Sequence, residues 1–213
     1  MKSYKLYLFD LDGTLIDSDR MLIETFRELY AKYRPDYHPD DKYIIQFSGP
    51  QITETLSKEF PDHDLKEMLN EYRSRSTKYY DKYVRLFPYV KEMLEKMSEK
   101  GILFAVITNK HKGPTEYTYK LLDLEKLNIF SICADDVTNF KPAPDGILKA
   151  IRHFNIKNNA EVIYIGDCYT DYITAKNAGV DFGYISWSPR PIKGEMKVDV
   201  MIKSFKEFIG EIC

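Results

Sequence analysis

The stretch LYLFDLDGTL, residues 6–15, places two acids directly after an uninterrupted apolar run. Leu6 to Phe9 include no charged residue, which is typical of a strand buried on both faces of a parallel sheet. Asp10 and Asp12 are two residues apart, so in extended backbone both carboxylates leave the chain on the same side and repel each other. The stretch therefore predicts a covered parallel sheet whose edge needs something to offset this repulsion.

From residue 86 onward, short apolar strands alternate with amphipathic helices. Apolar runs predict strands over 102–108, 162–165 and 182–185, and a helical stripe over 90–97 ends at Gly101, a typical C-terminal cap. Strand, helix and strand in succession indicate parallel strands with right-handed crossovers. The predicted fold class is therefore α/β, with a doubly wound parallel sheet.

The segment that follows the first strand has a different pattern. Between about residues 16 and 83, apolar residues recur only at helical spacing, and the breakers Arg34-Pro35 and Phe60-Pro61 divide the segment into three or four helices. We therefore predict an α/β core formed by residues 1–14 and 84–213, interrupted by an all-helical cap at 15–83.

Polar residues follow the predicted core strands at the point where each strand ends. Asp10 and Asp12 follow the first strand, Thr108 and Asn109 the next, and Lys141 a third segment that ends in ICADD. The strand VIYI is followed by Asp167, with Asp171 four residues further on. Ligands of such sheets bind at the carboxyl ends of the strands, so this edge is the predicted site.

The residue types at this edge predict phosphoryl chemistry. Carboxylates without sulfur or imidazole partners suit Mg²⁺, and none of the four histidines stands in a zinc-binding pattern. Thr108, Asn109 and Lys141 supply donors and positive charge for a phosphoryl group. Asp10 is the predicted nucleophile that forms an aspartyl-phosphate, and Asp12 the acid and base for the leaving oxygen and for water.

Four motifs in order resemble those of the haloacid dehalogenase-like hydrolase superfamily: FDLDGTL at 9–15, TN at 108–109, KPAP at 141–144 and GDCYTD at 166–171. The resemblance implies the same fold and the same aspartyl-phosphate mechanism. It implies that Thr108, with Asn109 beside it, binds the phosphoryl group and that Lys141 neutralises charge. The metal ligands that it implies are Asp10, the backbone carbonyl of Asp12, Asp167 and, with a supporting role, Asp171.

The helical insert is similar to the small cap of the phosphoglycolate phosphatase branch of that superfamily. Within the branch, FSGPQITETL at 47–56 and DDVTNFKP at 135–142 look most like bacterial inorganic pyrophosphatases that carry this cap. The expected function is Mg²⁺-dependent hydrolysis of pyrophosphate or of a small phosphorylated metabolite, with Ser48, Gly49 and Pro50 as candidate substrate contacts.

Other readings of the same sequence remain open. A phosphomutase is one, although Leu22 stands where related sugar phosphomutases carry a cap histidine. A dehalogenase is another, although that branch usually lacks an acid at the place of Asp12, and a phosphate-binding module without turnover is a third. Asp171 also fits an acid in the first turn of a helix, and Cys168 fits a packing thiol because no arginine follows it at the spacing of a cysteine phosphatase.

Composition limits the partners. Thirty-one basic and 33 acidic residues give a net charge of −2, so we expect neither nucleic acid nor membrane as a partner. The N-terminal MKSYKLYLFD lacks the cleavage site of a signal peptide, and Cys133, Cys168 and Cys213 lack CxxC spacing, so we expect reduced thiols and a cytoplasmic location. The oligomeric state stays open.

Two charged segments receive weaker assignments. The basic series from Arg73 to Arg85 predicts a solvated helix face, with the alternative that one of its members reaches an anionic substrate. The segment WSPRPIKGEMK at 187–197 reads as a loop without an assigned role.

Overall fold

A computed structural model describes residues 2–212, in which helices flank a six-stranded sheet. The strands are β1 (Leu6–Phe9), β2 (Ile16–Asp17), β3 (Arg85–Leu86), β4 (Leu103–Ile107), β5 (Ser131–Ile132), β6 (Val162–Gly166), β7 (Asp181–Ile185) and β8 (Val200–Ile202). The helices are α1 (Asp19–Tyr33), α2 (Asp41–Ile44), α3 (Ile52–Glu59), α4 (Leu65–Tyr83), α5 (Val90–Glu99), α6 (Lys112–Leu121), α7 (Asp145–His153), α8 (Tyr169–Ala178) and α9 (Phe205–Ile212).

The large sheet has the strand order β5, β4, β1, β6, β7, β8, and every neighbouring pair is parallel. The chain moves from β1 outward through β4 to β5, and then returns to the other side of β1 with β6. The direction of winding therefore reverses between β1 and β6, and such a switch point opens a crevice at the carboxyl edge. The predicted doubly wound α/β fold is confirmed.

Both faces of this sheet are covered, as the apolar run in β1 predicted. Leu6 and Leu8 join one apolar cluster, which includes residues of α7 and α8, whereas Tyr7 and Phe9 join a second cluster with α5 and α9. Alternate residues of a strand point to opposite faces, so an apolar residue is needed at every position. Burial of β1 is complete or nearly so at all four residues.

Helices α1 to α4 lie between two short strands that pair with each other. Strands β2 and β3 form an antiparallel ribbon through which the chain leaves and re-enters the core. The four helices share a third apolar cluster, centred on residues such as Phe26, Leu29 and Leu56. Helix α1 ends at Tyr33 and α3 at Glu59, so both predicted breakers are confirmed. The division into a core of residues 1–14 and 84–213 and a separate cap domain of residues 15–83 stays a prediction.

Part of the C-terminal segment differs from the expectation. Strand β8 and helix α9 follow the loop at 187–197, and the sequence analysis predicted neither. Strand β8 has only three residues and lies at the edge of the sheet beside β7. A run of three residues is too short to show the alternation of apolar and polar residues that identifies a strand in a sequence.

Helix α4 spans 19 residues, but charged side chains such as Lys66 and Glu67 recur along it. Within residues 2–212, no helix has both the length and the apolar character that crossing a bilayer requires.

Candidate active site

A cavity of about 190 Å³ lies at the carboxyl edge of the sheet, between the strand ends and the helices of the insert. Eight of the ten residues that were predicted for the site line this cavity: Asp10, Asp12, Ser48, Gly49, Pro50, Thr108, Asn109 and Lys141. The other two, Asp167 and Asp171, follow β6 and are buried. The structure therefore brings the predicted set to one edge of the sheet.

Lys141 lies between two buried carboxylates. Its Nζ donates to Asp10 Oδ1 at 2.7 Å and to Asp171 Oδ1 at 2.8 Å, and it lies 3.0 Å from the hydroxyl oxygen of Tyr164. Burial by itself would lower the pKa of Lys141, but the charges of Asp10 and Asp171 raise it well above its ordinary value. The Lys141 ammonium therefore stays charged at neutral pH and can offset one of the two carboxylates.

Asp10 is a buried acid beside the cavity that shares Lys141 with Asp171. Its side chain is buried, and burial followed by the charge of Asp171 raises its pKa to about 7, although Lys141 acts in the opposite direction. Its main-chain N–H donates to the carbonyl oxygen of Ile165, which fixes the end of β1 against β6. A cation or a bound electrophile at this carboxylate would relieve the excess charge.

Asp12 has a different environment, because it is partly exposed and held from two sides. Lys110 Nζ donates to both of its carboxylate oxygens at 2.8 Å, and Ser18 Oγ donates to Oδ1 at 2.7 Å. Burial would lower the pKa of Lys110, but the Asp12 carboxylate raises it above its usual range. The two aspartates of the first motif thus have separate lysine partners, as separate tasks would require.

Thr108 and Asn109 follow β4 and contact the site in different ways. Thr108 is buried, and its Oγ1 accepts from the N–H of Lys110 at 3.1 Å. The side chain of Asn109 bonds to both main-chain groups of Lys141, at 2.9 Å to its N–H and 3.1 Å to its carbonyl oxygen. Asn109 therefore holds the lysine segment in place, and its predicted contact with phosphate stays a prediction.

The loop at Ser48–Pro50 reaches the site from the insert. Asn109 Nδ2 donates to the carbonyl oxygen of Gly49 at 2.9 Å. Gly49 has a φ of +107°, and a Cβ at this position would lie 2.9 Å from the sulfur of Cys168. The loop therefore approaches the end of β6 more closely than a side chain would allow.

Asp167 is buried and held by the loop after β7. Arg190 Nη1 donates to its Oδ2 at 2.7 Å, and Ser188 Oγ donates to its carbonyl oxygen at 2.8 Å. Burial raises the pKa of Asp167 well above its ordinary value, and nearby Asp171 and Asp10 add to this effect while Arg190 opposes it. Gly13, with a φ of +86°, packs so closely that a Cβ would lie 2.4 Å from Oδ2.

Asp171 lies in the first turn of α8 and accepts hydrogen bonds at both oxygens. Oδ1 accepts a hydrogen bond from Lys141 Nζ, and Oδ2 accepts from the N–H groups of Asp167 and Cys168 at 3.2 and 3.3 Å. The Cys168 thiol also lies 3.1 Å from Oδ2, and burial raises its pKa well above the ordinary value. A neutral thiol is a poor ligand and nucleophile. Cys168 and Asp171 form the capping box of α8, whereas the Asp167 side chain points to Arg190 and takes no part in that cap.

The predicted helix-cap reading of Asp171 therefore has direct support, and its predicted metal contact stays a prediction. Cys133 and Cys168 are buried free thiols. Cys213, the third cysteine in the sequence, lies outside the described residues.

Several contributors to the site were not predicted, among them Lys110, Tyr164 and Arg190. Lys110 follows Thr108 and Asn109 directly, so its place at a strand end was a usable signal. Tyr164 lies within the apolar run of β6, and Arg190 lies in a loop without a pattern. For these two, no local signal marks the residue, because each acts through contacts between segments far apart in the sequence.

The fold and the site together give the class: an α/β protein with a doubly wound sheet and a buried acidic site at the carboxyl edge of its switch point. The family model described as haloacid dehalogenase-like hydrolase matches residues 7–185, and the chain belongs to this family. The resemblance carried by the four motifs is thereby confirmed.

Two proteins of the same family are similar to this chain over most of its length. A candidate pyrophosphatase, PpaX, of Caldanaerobacter subterraneus subsp. tengcongensis is 32% identical over 87% of this chain and 83% of that protein. The pyrophosphatase PpaX of Bacillus cereus (strain Q1) is 29% identical over 85% of this chain and 82% of that protein.

Solved structures agree in fold. A candidate haloacid dehalogenase-like hydrolase from Bacteroides fragilis has a TM-score of 0.80 at 26% identity, covering 97% of this chain and 100% of that one. A candidate phosphoglycolate phosphatase from Lactobacillus plantarum has a TM-score of 0.83 at 24% identity, covering 98% and 99%, and shows the fold alone.

Proposed function

We propose that this protein is a Mg²⁺-dependent phosphatase that hydrolyses pyrophosphate or a small phosphorylated metabolite through an aspartyl-phosphate on Asp10. The observation that carries the proposal is the buried Asp10 carboxylate at the switch point, 2.7 Å from Lys141 and facing the cavity. The family membership and the names of the relatives support the phosphatase class.

In the proposed reaction, an Asp10 oxygen attacks phosphorus and the bond to the leaving oxygen breaks. Asp12 enters this step protonated and gives its proton to that oxygen. It is protonated again when it takes a proton from the water that attacks the phosphorus and breaks the bond between phosphorus and Asp10. Thr108 donates a hydrogen bond to the phosphoryl oxygens, and Lys141 offsets their charge. Lys110 and Ser18 hold the Asp12 carboxylate in one orientation.

The donor set fits a magnesium ion. The carboxylates of Asp10 and Asp167 and the backbone carbonyl of Asp12 are oxygen ligands, and the excess negative charge among the buried acids calls for a cation. When bound, Mg²⁺ would offset negative charge on the phosphoryl group. Asp171 would act mainly by holding Lys141, since that contact is 2.8 Å.

The size and charge of the cavity favour a small anionic substrate. Its volume of about 190 Å³ is below the range of about 300–1,000 Å³ that is typical of drug-sized ligands. Arg73 lines it, and among the described residues its guanidinium has no hydrogen-bond or ion-pair partner. This cation suits a second anionic group, such as the distal phosphate of pyrophosphate or the carboxylate of phosphoglycolate. Pyrophosphate is the preferred candidate because of the two relatives.

A phosphomutase is the second candidate, since the same nucleophile and acid would serve it. Leu22 lines the cavity and offers no proton-transfer group there, which favours hydrolysis. A phosphate-binding module without turnover and a dehalogenase have no observation in their favour. The helices α1–α4 would act as the cap, and a cytoplasmic location stays a prediction.

Initial rates on pyrophosphate, phosphoglycolate, sugar phosphates and nucleotides, with MgCl₂ and with EDTA, test the proposal. We expect turnover of at least one small substrate only with Mg²⁺, and none by Asp10→Asn. Asp62→Asn removes the same charge at an exposed residue that does not line the cavity, so it is the control and should retain full activity. Turnover by Asp10→Asn would show that the nucleophile is wrong, and tight phosphate binding without turnover would favour the binding module.

A further inference from the structure

Arg190, in the loop between β7 and β8, is a buried cation with three protein partners. Only 3% of it is exposed. Nη1 donates to Asp167 Oδ2 at 2.7 Å, Nη2 pairs with the Asp19 carboxylate, and Nε and Nη2 donate to the carbonyl oxygen of Ile45 at 3.1 and 2.9 Å. Burying a guanidinium is costly unless its donors meet acceptors, and here all three nitrogens donate to protein groups. Arg190 is therefore part of a buried ion-pair network and differs from a surface ion pair.

The three acceptors belong to two parts of the molecule. Asp167 follows β6 at the edge of the sheet. Asp19 is the first residue of α1, and Ile45 begins the helical turn that leads to the loop at Ser48–Pro50. One side chain therefore joins the sheet edge to the helices of the insert at two points.

The same loop fixes both the side chain and the main chain of Asp167. Ser188 Oγ donates to the Asp167 carbonyl oxygen and accepts from the N–H of Arg190 at 3.1 Å. Oδ2 of Asp167 receives Arg190, which leaves Oδ1, at 3.5 Å from Thr14 Oγ1, as the less engaged oxygen. The orientation of Asp167 thus depends on where the guanidinium lies.

We propose that Arg190 is a positioning residue that links the cation affinity of Asp167 to closure of helices α1–α4 over the sheet edge. This inference rests on the proposed cation site. In the closed arrangement, Asp19 and Asp167 share the guanidinium. When the insert moves away, Asp19 and Ile45 leave with it, and the guanidinium then neutralises Asp167 alone and competes with a cation for it. Closure therefore favours cation binding, and by linkage cation binding favours closure.

The proposal gives opposite signs for two substitutions. Asp19→Asn should weaken Mg²⁺ binding by about threefold or more, because the guanidinium is no longer shared. Arg190→Gln should not weaken Mg²⁺ binding and should strengthen it, because the competing cation is gone. Both should speed amide exchange in residues 19–47 by about tenfold without Mg²⁺, because the insert loses its anchor. Arg190→Lys keeps the charge without the planar fork, so it should behave as Asp19→Asn does.

Calorimetric titration of the metal-free protein with MgCl₂, together with hydrogen exchange, measures these effects. Lys197→Gln is the control, because it removes a positive charge from the same loop at a side chain that is 84% exposed. In the Arg190→Gln background, Asp19→Asn should no longer change the Mg²⁺ affinity. If Arg190→Gln does not fold, Asp19→Asn and Arg190→Lys carry the same test.

Unchanged Mg²⁺ affinity and unchanged exchange in Asp19→Asn would overturn the proposal. The proposal would also be overturned if Asp19→Asn changed the Mg²⁺ affinity equally with and without Arg190. Asp19 would then act on the ion directly by its charge and not through the guanidinium. These outcomes differ from a failure of the proposed function, which would show as a wild-type protein that binds no Mg²⁺.

Discussion

Replacing Asp10 by Asn should stabilise the metal-free protein while it abolishes hydrolysis. Two buried carboxylates, Asp10 and Asp171, share the single ammonium of Lys141, so the group carries an uncompensated negative charge. Asn keeps the shape of Asp10 and leaves the pair formed by Lys141 and Asp171 neutral. The acid expected to perform the chemistry is thus retained at a cost in stability.

The pKa of Asp10 gives the magnitude. It is raised from 3.8 to about 7, and each pH unit corresponds to about 1.4 kcal/mol, so the ionised side chain destabilises the fold by up to about 4 kcal/mol at pH 8. Between these two pKa values the folded chain holds a proton that the unfolded chain has lost, so wild-type stability falls as pH rises through this range. The advantage of Asp10→Asn should therefore be about 2–4 kcal/mol at pH 8 and less than half of that at pH 5.

Urea unfolding in EDTA, followed by the fluorescence of Trp187, measures this difference at both pH values. Asp62→Asn, an exposed acid, should change the free energy of unfolding by less than about 0.5 kcal/mol. Equal or lower stability of Asp10→Asn at pH 8 would show that the Asp10 charge does not destabilise the fold, as would an advantage that is the same at both pH values. Saturating Mg²⁺ should reduce the advantage, because the ion stabilises only the protein that binds it.

Three further predictions concern the cavity and the insert. Gly13→Ala should destabilise the fold by about 1–3 kcal/mol and weaken Mg²⁺ binding in calorimetry, because φ is +86° and the new Cβ would meet Asp167. Arg73→Gln should raise KM for pyrophosphate in initial-rate assays and leave Tm unchanged, because Arg73 lines the cavity and its guanidinium has no protein partner within residues 2–212. A hydrogen bond from Lys32, and to a smaller extent one from Arg75, lowers the pKa of Glu71 to about 2 from its ordinary 4.5. The contribution of ionised Glu71 to stability is therefore complete above pH 4.5 and is lost as pH falls toward 2. Acid unfolding of Glu71→Gln should therefore lack this component.

Local patterns in the sequence were sufficient to predict several parts of this protein. The apolar run of β1 predicted a strand covered on both faces, and the spacing of Asp10 and Asp12 predicted an acidic edge. Helical spacing and the proline breakers predicted the ends of α1 and α3, and the four motifs predicted the family. Each of these signals lies within a few residues, where strand and helix periodicity or a short motif is sufficient.

The contacts between distant side chains depend on how the strands and loops are arranged in space. Arg190 contacts Asp19 across 171 residues of sequence, and Lys110 contacts Asp12 across 98. Nothing near Arg190 in the chain distinguishes it from the solvated lysines of the same loop. The sheet order decides the difference, because it sets β6 beside β1 and brings the loop after β7 to the same edge. Burial then converts an ordinary arginine into the partner of two acids, since a buried charge must find its counter-charge.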